Sequence, residues 1–291
     1  MLRSVMWTLL TLVGLGAALI LLFGWYEPRL IYFPTRDIER TPADLGLAFE
    51  DVRFETADGE RIHGWYLPAG PSSMPTVLLL HGNAGNISDR FEKLSVFRAL
   101  GADVLIVDYR GYGRSSGKPT ERGTYRDADA AYEYLVTTRG LDPKRVVLYG
   151  ESLGAAVAVD VAARKPVGGL VLESVFSSGV DVAQEMFPFL PARLLMRNRY
   201  ESVKKIGAVQ APVLILHSRD DEFFHWHHPR RLYDAAPEPK TLVELHGGHN
   251  DAFLVSSREY AAALSAFLGQ VALTHRYASR NALYVRAGRK T

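Results

Sequence analysis

Short apolar runs recur along the chain: "TVLLLHG", "DVLIVDYRGYG", "RVVLYG", "GGLVLES", "PVLILHS" and "TLVELHG". Each is rich in Val, Leu and Ile and lacks polar alternation, which is how a strand reads when both its faces are covered. Between them lie helical patterns at residues 88–100, 120–139, 153–164 and 256–268, the first with Ser88 placed to cap it. Covered strands alternating with helices predict the α/β class and a doubly wound, mostly parallel sheet. Upstream, "LAFEDVRFETADGERIHGWYLPA" alternates polar and apolar residues on both sides of "ADGE". That pattern predicts an antiparallel hairpin turning at Asp58 and Gly59, at the edge of the sheet.

Three segments fall outside this alternation. Residues 178–210 are longer than a simple crossover and predict a small cap over the strand ends. Their "MFPFLPARLLM" reads as packed cap interior, with an apolar lip facing a bilayer as the other reading. Residues 4–26 carry no charge between Arg3 and Glu27. Such a run is long enough to cross a hydrocarbon core of ~30 Å at about 1.5 Å per residue. Trp7, Trp25 and Tyr26 stand where interfacial anchors belong, and the run ends in "FGWYEP" rather than a small-residue cleavage site. The expectation is a single-pass membrane anchor at residues 1–27, a catalytic domain at 28–270 and a basic, solvated tail at 271–291. Basic residues flank the run on both sides, so orientation stays open.

Composition narrows the function. With 47% hydrophobic and 23% charged residues the chain can bury a full core. A net charge of +2 gives no reason to expect a nucleic-acid partner, and the absence of cysteine excludes disulfides, Cys-ligated zinc and a thiol nucleophile.

The motif that carries chemistry is Gly150-Glu151-Ser152-Leu153-Gly154, between a covered strand and a small-residue helix. A sharp strand-to-helix turn holds its central hydroxyl above the sheet, and glycines on either side give the two arms clearance. Ser152 is therefore read as a nucleophile. A serine needs a base, and the base needs an acceptor on its other ring nitrogen. Of nine histidines, His249 in "GGHND" after the last strand is the choice, with His246 as the alternative. Asp220, Asp221 and Glu222 in "LHSRDDEFF" are the candidate acids, which gives the chain order Ser, acid, His. The backbone N–H groups of Leu153 and of Asn83, in "HGNAGN", are the candidate oxyanion donors. His225, His227 and His228 in "FFHWHHP" have no nearby carboxylate at a metal-site spacing and are read as surface or pocket residues. "GYGRSSG" lacks dinucleotide-binding spacing and reads as a turn.

Taken in order, "LIYFPTRD", "DGERIHGWYLP", "LLLHGNAGN", "VDYRGYGRSSG", "LYGESLGAAVA", "HSRDDEFF" and "GGHND" resemble the α/β-hydrolase superfamily. More narrowly, they resemble its membrane-anchored branch, which includes protein depalmitoylases and the bud-emergence-type hydrolases of fungi. The resemblance spans nearly the whole chain and implies the α/β-hydrolase fold and cofactor-free chemistry. It places the acid on Asp221, the base on His249 and the oxyanion donors on Asn83 and Leu153. Ser218 stands where a glycine is usual, and "FFHWHHP" is bulkier than the family's residues after the acid. The implied activity is a serine hydrolase forming an acyl-enzyme on Ser152 from an ester or thioester, with an acylated or small-molecule substrate near a membrane. The alternatives are an aminopeptidase-like serine peptidase and a catalytically silent, membrane-tethered binding module.

Overall fold

A computed structural model describes residues 2–70, 74–189 and 191–287, and in it the apolar runs become the spine of one eight-stranded sheet. Its strands are β1 (Glu50–Glu55), β2 (Arg61–Leu67), β3 (Thr76–Leu80), β4 (Val104–Val107), β5 (Val146–Glu151), β6 (Gly169–Glu173), β7 (Val213–Ser218) and β8 (Lys240–Leu245). Their spatial order is β8-β7-β6-β5-β3-β4-β2-β1. The pairs from β4 to β8 are parallel, whereas β2 pairs antiparallel with both β1 and β4. The expected hairpin is thus the antiparallel edge.

The two-residue period of a strand explains the unbroken apolar runs. Leu78, Leu80, Leu105, Val107, Leu148, Leu170 and Ile215 enter the core on one face of the sheet. Their neighbours Val77, Leu79, Val104, Ile106, Val147, Val171 and Leu214 enter the core on the other. Every position has a covered side, and each such side chain contributes about 1.5–3 kcal/mol by leaving water.

The helices, in chain order, are α1 (Leu2–Ile31), α2 (Phe91–Ala99), α3 (Glu121–Glu133), α4 (Leu153–Ala162), α5 (Gly179–Met186), α6 (Ala192–Leu195), α7 (Ser202–Lys205), α8 (His227–Ala235), α9 (Ala252–Val255) and α10 (Ser257–Ala287). Buried along its whole length, α4 is apolar on all sides because sheet and helices surround it. The cap consists of α5, α6 and α7, and Ser178 caps α5 by accepting the Asp181 N–H. Leu190 of the "MFPFLPARLLM" stretch lies outside the described residues.

Four expectations need correction. Ser88 does not cap a helix at residues 88–100: Asn86 caps a short 3-10 turn by accepting the Ser88 N–H, and α2 starts only at Phe91. The last helix continues as α10 to Ala287, through most of the segment read as a solvated tail, with residues 288–291 outside the described set. Among the described residues no helix is long and apolar enough to cross a membrane, so the single-pass anchor at residues 4–26 is not supported. That expectation also rests in part on residues 12, 13, 15, 17 and 19, whose side chains are not described. Nor does α1 end at the expected boundary of residue 27. It runs on past Pro28, and its C-terminal turns pack into the domain that carries the sheet. Buried Glu27 accepts the N–H groups of Arg197 and Asn198 at 2.8–3.1 Å. Tyr32 follows the helix and bonds Tyr200 at 2.7 Å and Asn198 at 3.1 Å.

Candidate active site

The register of the sheet decides which loops meet. Leu80 pairs with Gly150 and Leu245 with Ser218, so the segments after β3, β5, β7 and β8 leave one edge of the sheet together. That edge, beyond the strand C-termini, is where open α/β sheets bind ligands.

Ser152 stands between β5 and α4 with φ at 54°, a left-handed conformation that costs a non-glycine residue about 1–3 kcal/mol. Its neighbours show why they are glycines. A Cβ on Gly150 would strike the Gly154 carbonyl and the Ala155 Cα, and one on Gly154 would strike the Leu80 carbonyl. The Ser152 N–H donates to the Glu173 carbonyl at 2.9 Å, which fixes the turn to β6. Below it, Glu173 is buried in an ion pair with Lys93 and accepts the Tyr260 hydroxyl at 2.9 Å.

The structure brings Ser152, His249 and Asp221 together. Ser152 Oγ lies 3.1 Å from His249 Nε2, and His249 Nδ1 lies 2.8 Å from Asp221 Oδ2. The other carboxylate oxygen of Asp221 accepts the N–H groups of Phe223 and Phe224 at 2.9 and 2.8 Å. Burial pushes the Asp221 carboxyl up, but its bonds to His249 and to the Phe224 N–H help hold it below the usual carboxylate range. Of the other two candidate acids, Glu222 accepts the His249 N–H at 2.8 Å, while Asp220 pairs with exposed His246 at 3.1 Å. Ser174 donates to the His249 carbonyl at 3.2 Å. The rings of Phe223 and Phe224 stand edge-on to His249, with centroids at 5.3 and 4.8 Å.

Two further histidines at strand ends support the loops instead. His81 Nδ1 donates to the Gly82 carbonyl at 2.7 Å, and His217 Nε2 donates to the Phe224 carbonyl at 2.7 Å. Burial lowers both to about 4, so both rings are neutral at pH 7.

Asn83 and Leu153 border the same space as Ser152. Leu153 opens α4, and the first N–H groups of a helix have no intrahelical acceptor. The Asn83 loop is tied down on its far side: its carbonyl accepts from the Tyr112 hydroxyl and the Phe33 N–H, and its side chain donates to the Ile31 carbonyl at 2.8 Å.

These groups open into a cavity of about 560 Å³. One of its walls comes from the expected cap and another from an element not expected there. Phe23, Leu30 and Ile31 of α1 form one side, Val182, Ala183 and Met186 of α5 another. Sequence reasoning missed α1 because its long apolar run looked self-sufficient. Glu27, the acid that closes the run, is the one hint in the sequence, and its burial and partners show only in the fold. Glu151 also lines the cavity; burial pushes its carboxyl up, but nearby Lys93 and Arg90 outweigh that and hold it ionised.

Residues 77–207 match the model of the Alpha/beta hydrolase family. The Arabidopsis thaliana protein described as alpha/beta hydrolase domain-containing protein WAV2 is 33% identical over 275 residues, covering 86% of this chain and 88% of its own length. The chain belongs to the alpha/beta hydrolase family. The Mycobacterium tuberculosis protein Rv2307c is 41% identical over 265 residues, covering 90% of this chain and 94% of its own length. Among solved structures, the Pyrococcus furiosus esterase Pf2001 superposes with a TM-score of 0.68 at 24% identity, covering 82% of this chain and 98% of that one. At that identity the likeness concerns the fold.

Proposed function

We propose that this alpha/beta hydrolase is a serine esterase or thioesterase acting on acyl substrates. The observation that carries the reading is the continuous contact from Ser152 Oγ through His249 to Asp221, at 3.1 and 2.8 Å. In this scheme His249 takes the Ser152 proton as the oxygen attacks the carbonyl. The resulting oxyanion is stabilised by the N–H groups of Asn83 and Leu153, each worth about 2.7–4 kcal/mol of barrier. His249 then returns the proton to the departing alcohol or thiol, and water repeats the sequence on the acyl-enzyme. Asp221 holds the ring with its hydrogen on Nδ1, leaving Nε2 free to accept.

The acyl preference rests on the apolar walls supplied by α1 and α5. An aminopeptidase would need a free carboxylate to receive its substrate's amine. Glu27 is already bonded to two backbone N–H groups, and Glu151 is balanced by Lys93 and Arg90. The Pyrococcus furiosus neighbour is an esterase, which agrees with this choice. A fluorophosphonate probe tests it: the folded protein is expected to label at one serine and to hydrolyse p-nitrophenyl acyl esters, with both lost in Ser152→Ala. Undiminished labelling in Ser152→Ala refutes the assignment, and absence of labelling in the folded parent favours a silent binding module.

A further inference from the structure

On the cap, three side chains converge that the hydrolytic scheme leaves unused. Glu185 stands in the last turn of α5, and His227 and His228 open α8. Their ligand atoms all lie within 4.8 Å of one another. Glu185 Oε1 is 2.9 Å from His227 Nε2, and Oε2 is 3.2 Å from His228 Nε2. Glu185 and His227 are exposed, whereas His228 is 0% exposed.

The surroundings of His228 define its free nitrogen. Its Nδ1 lies 2.9 Å from Ser177 Oγ. That hydroxyl gives its own hydrogen to Asp181 Oδ2 at 2.9 Å, and Asp181 is held by Arg231 at 2.7 Å. The Ser177 N–H also points at Nδ1, at 3.3 Å, so this side of the ring is held by the Ser177 segment. Nε2 has no hydrogen-bond partner among the described residues and is sealed from water. It faces the Glu185 carboxylate at 3.2 Å without a hydrogen bond to it, and once deprotonated the two would be electron donors for a cation between them. Orientation of an imidazole through its second nitrogen, by a partner that is itself bonded to a carboxylate, is also how metal-binding histidines are held.

We propose that Glu185, His227 and His228 form a binding site for a divalent transition-metal ion of the zinc type. Two imidazoles and one carboxylate suit zinc in tetrahedral geometry, with the fourth position open to water. Magnesium and calcium, which take oxygen ligands, fit poorly. The histidine pair was set aside on sequence because no carboxylate stands nearby. The missing ligand comes from 42 residues upstream on the cap. The ion would tie the end of α5 to the start of α8. The first helix supplies Val182, Ala183 and Met186 to the cavity wall, and the second follows the Asp221 loop. Metal binding therefore fixes the cap wall relative to the loop of the proposed acid.

The test uses the full chain without an affinity tag, stripped with chelator and titrated with zinc chloride in a calorimeter, with native mass spectrometry for stoichiometry. One ion per chain is expected, with a rise in Tm that magnesium chloride does not reproduce. Glu185→Gln and His227→Ala alter exposed positions and leave the fold intact. Each is expected to weaken zinc binding at least about tenfold, as loss of even an outer partner does at metal sites. Absence of stoichiometric uptake overturns the proposal, and so does an affinity unchanged in both variants.

Discussion

The relation between Asp221 and His249 yields a sharp test through Asp221→Asn. One oxygen of Asp221 accepts two backbone N–H groups, from Phe223 and Phe224, while the other accepts His249 Nδ1. An asparagine there must choose which way its amide points. Turning NH₂ toward the loop would face two N–H donors with a third, at about 1–3 kcal/mol for each unsatisfied group. The amide oxygen therefore stays on the backbone and the NH₂ faces His249. The ring then accepts at Nδ1, carries its hydrogen on Nε2 and presents a donor to Ser152 Oγ at 3.1 Å. A base in that tautomer cannot take the serine proton.

The competent arrangement lies above the incompetent one by two such groups, about 2–6 kcal/mol. A fall of about 10⁴ in kcat, equivalent to about 5.4 kcal/mol, sits at the upper end of that range and matches the loss seen when a triad aspartate becomes asparagine. The assay is initial-rate hydrolysis of p-nitrophenyl butyrate together with the rate of fluorophosphonate labelling, and circular dichroism checks the fold. A decrease smaller than about tenfold in a folded variant would refute the claim that Asp221 sets the tautomer of His249.

Stability should fall on mild acidification, because His81 and His217 titrate near 4 when folded and near 6.5 when unfolded. As pH drops through that window the unfolded chain binds protons that the folded chain refuses, and by pH 4 each ring has removed about 3 kcal/mol; equal urea midpoints at pH 7 and pH 4.5 would contradict this. Lys93→Met should cost about 3–5 kcal/mol in urea unfolding, because it leaves buried Glu173 without its cation, and a loss under 1 kcal/mol would show that the pair is not the relevant support. Ala183→Trp should fill the cavity beside α5, leaving acetate esters as substrates while octanoate esters lose at least about tenfold in kcat/KM. An unchanged chain-length profile would place the acyl chain elsewhere.

What the sequence revealed depended on how local the determining contacts are. The inner strands were legible because each is a short run covered on both faces, whereas β8 proved to be a half-exposed edge, and the hairpin was legible because its alternation surrounds Asp58 and Gly59. Ser152 was legible because glycines and a strand-to-helix transition surround it within a few residues. Choosing among Asp220, Asp221 and Glu222 was harder, since all three end up in contact with the "LHGGHN" segment and only their tertiary partners differ. The cavity wall was hidden for the opposite reason. Contacts between Glu27 and Arg197 or Asn198 span some 170 residues, and no pattern within either segment announces the other.

The same distinction shows in how the site is held. Ser152 is positioned by a covalent neighbourhood: the positive φ, the two glycines and the N–H to Glu173. His249 is positioned by side chains from elsewhere, with Glu222 on its N–H, Ser174 on its carbonyl and Asp221 on its ring. The first arrangement is intrinsic to the β5–α4 turn and is lost only if the sheet or α4 is disturbed. The second depends on three separate side-chain hydrogen bonds, from exposed Glu222 and from buried Ser174 and Asp221. Substitutions that slow catalysis but spare folding should therefore concentrate around His249. Those around Ser152, such as a Cβ at Gly154 pressed against the Leu80 backbone, should damage both together.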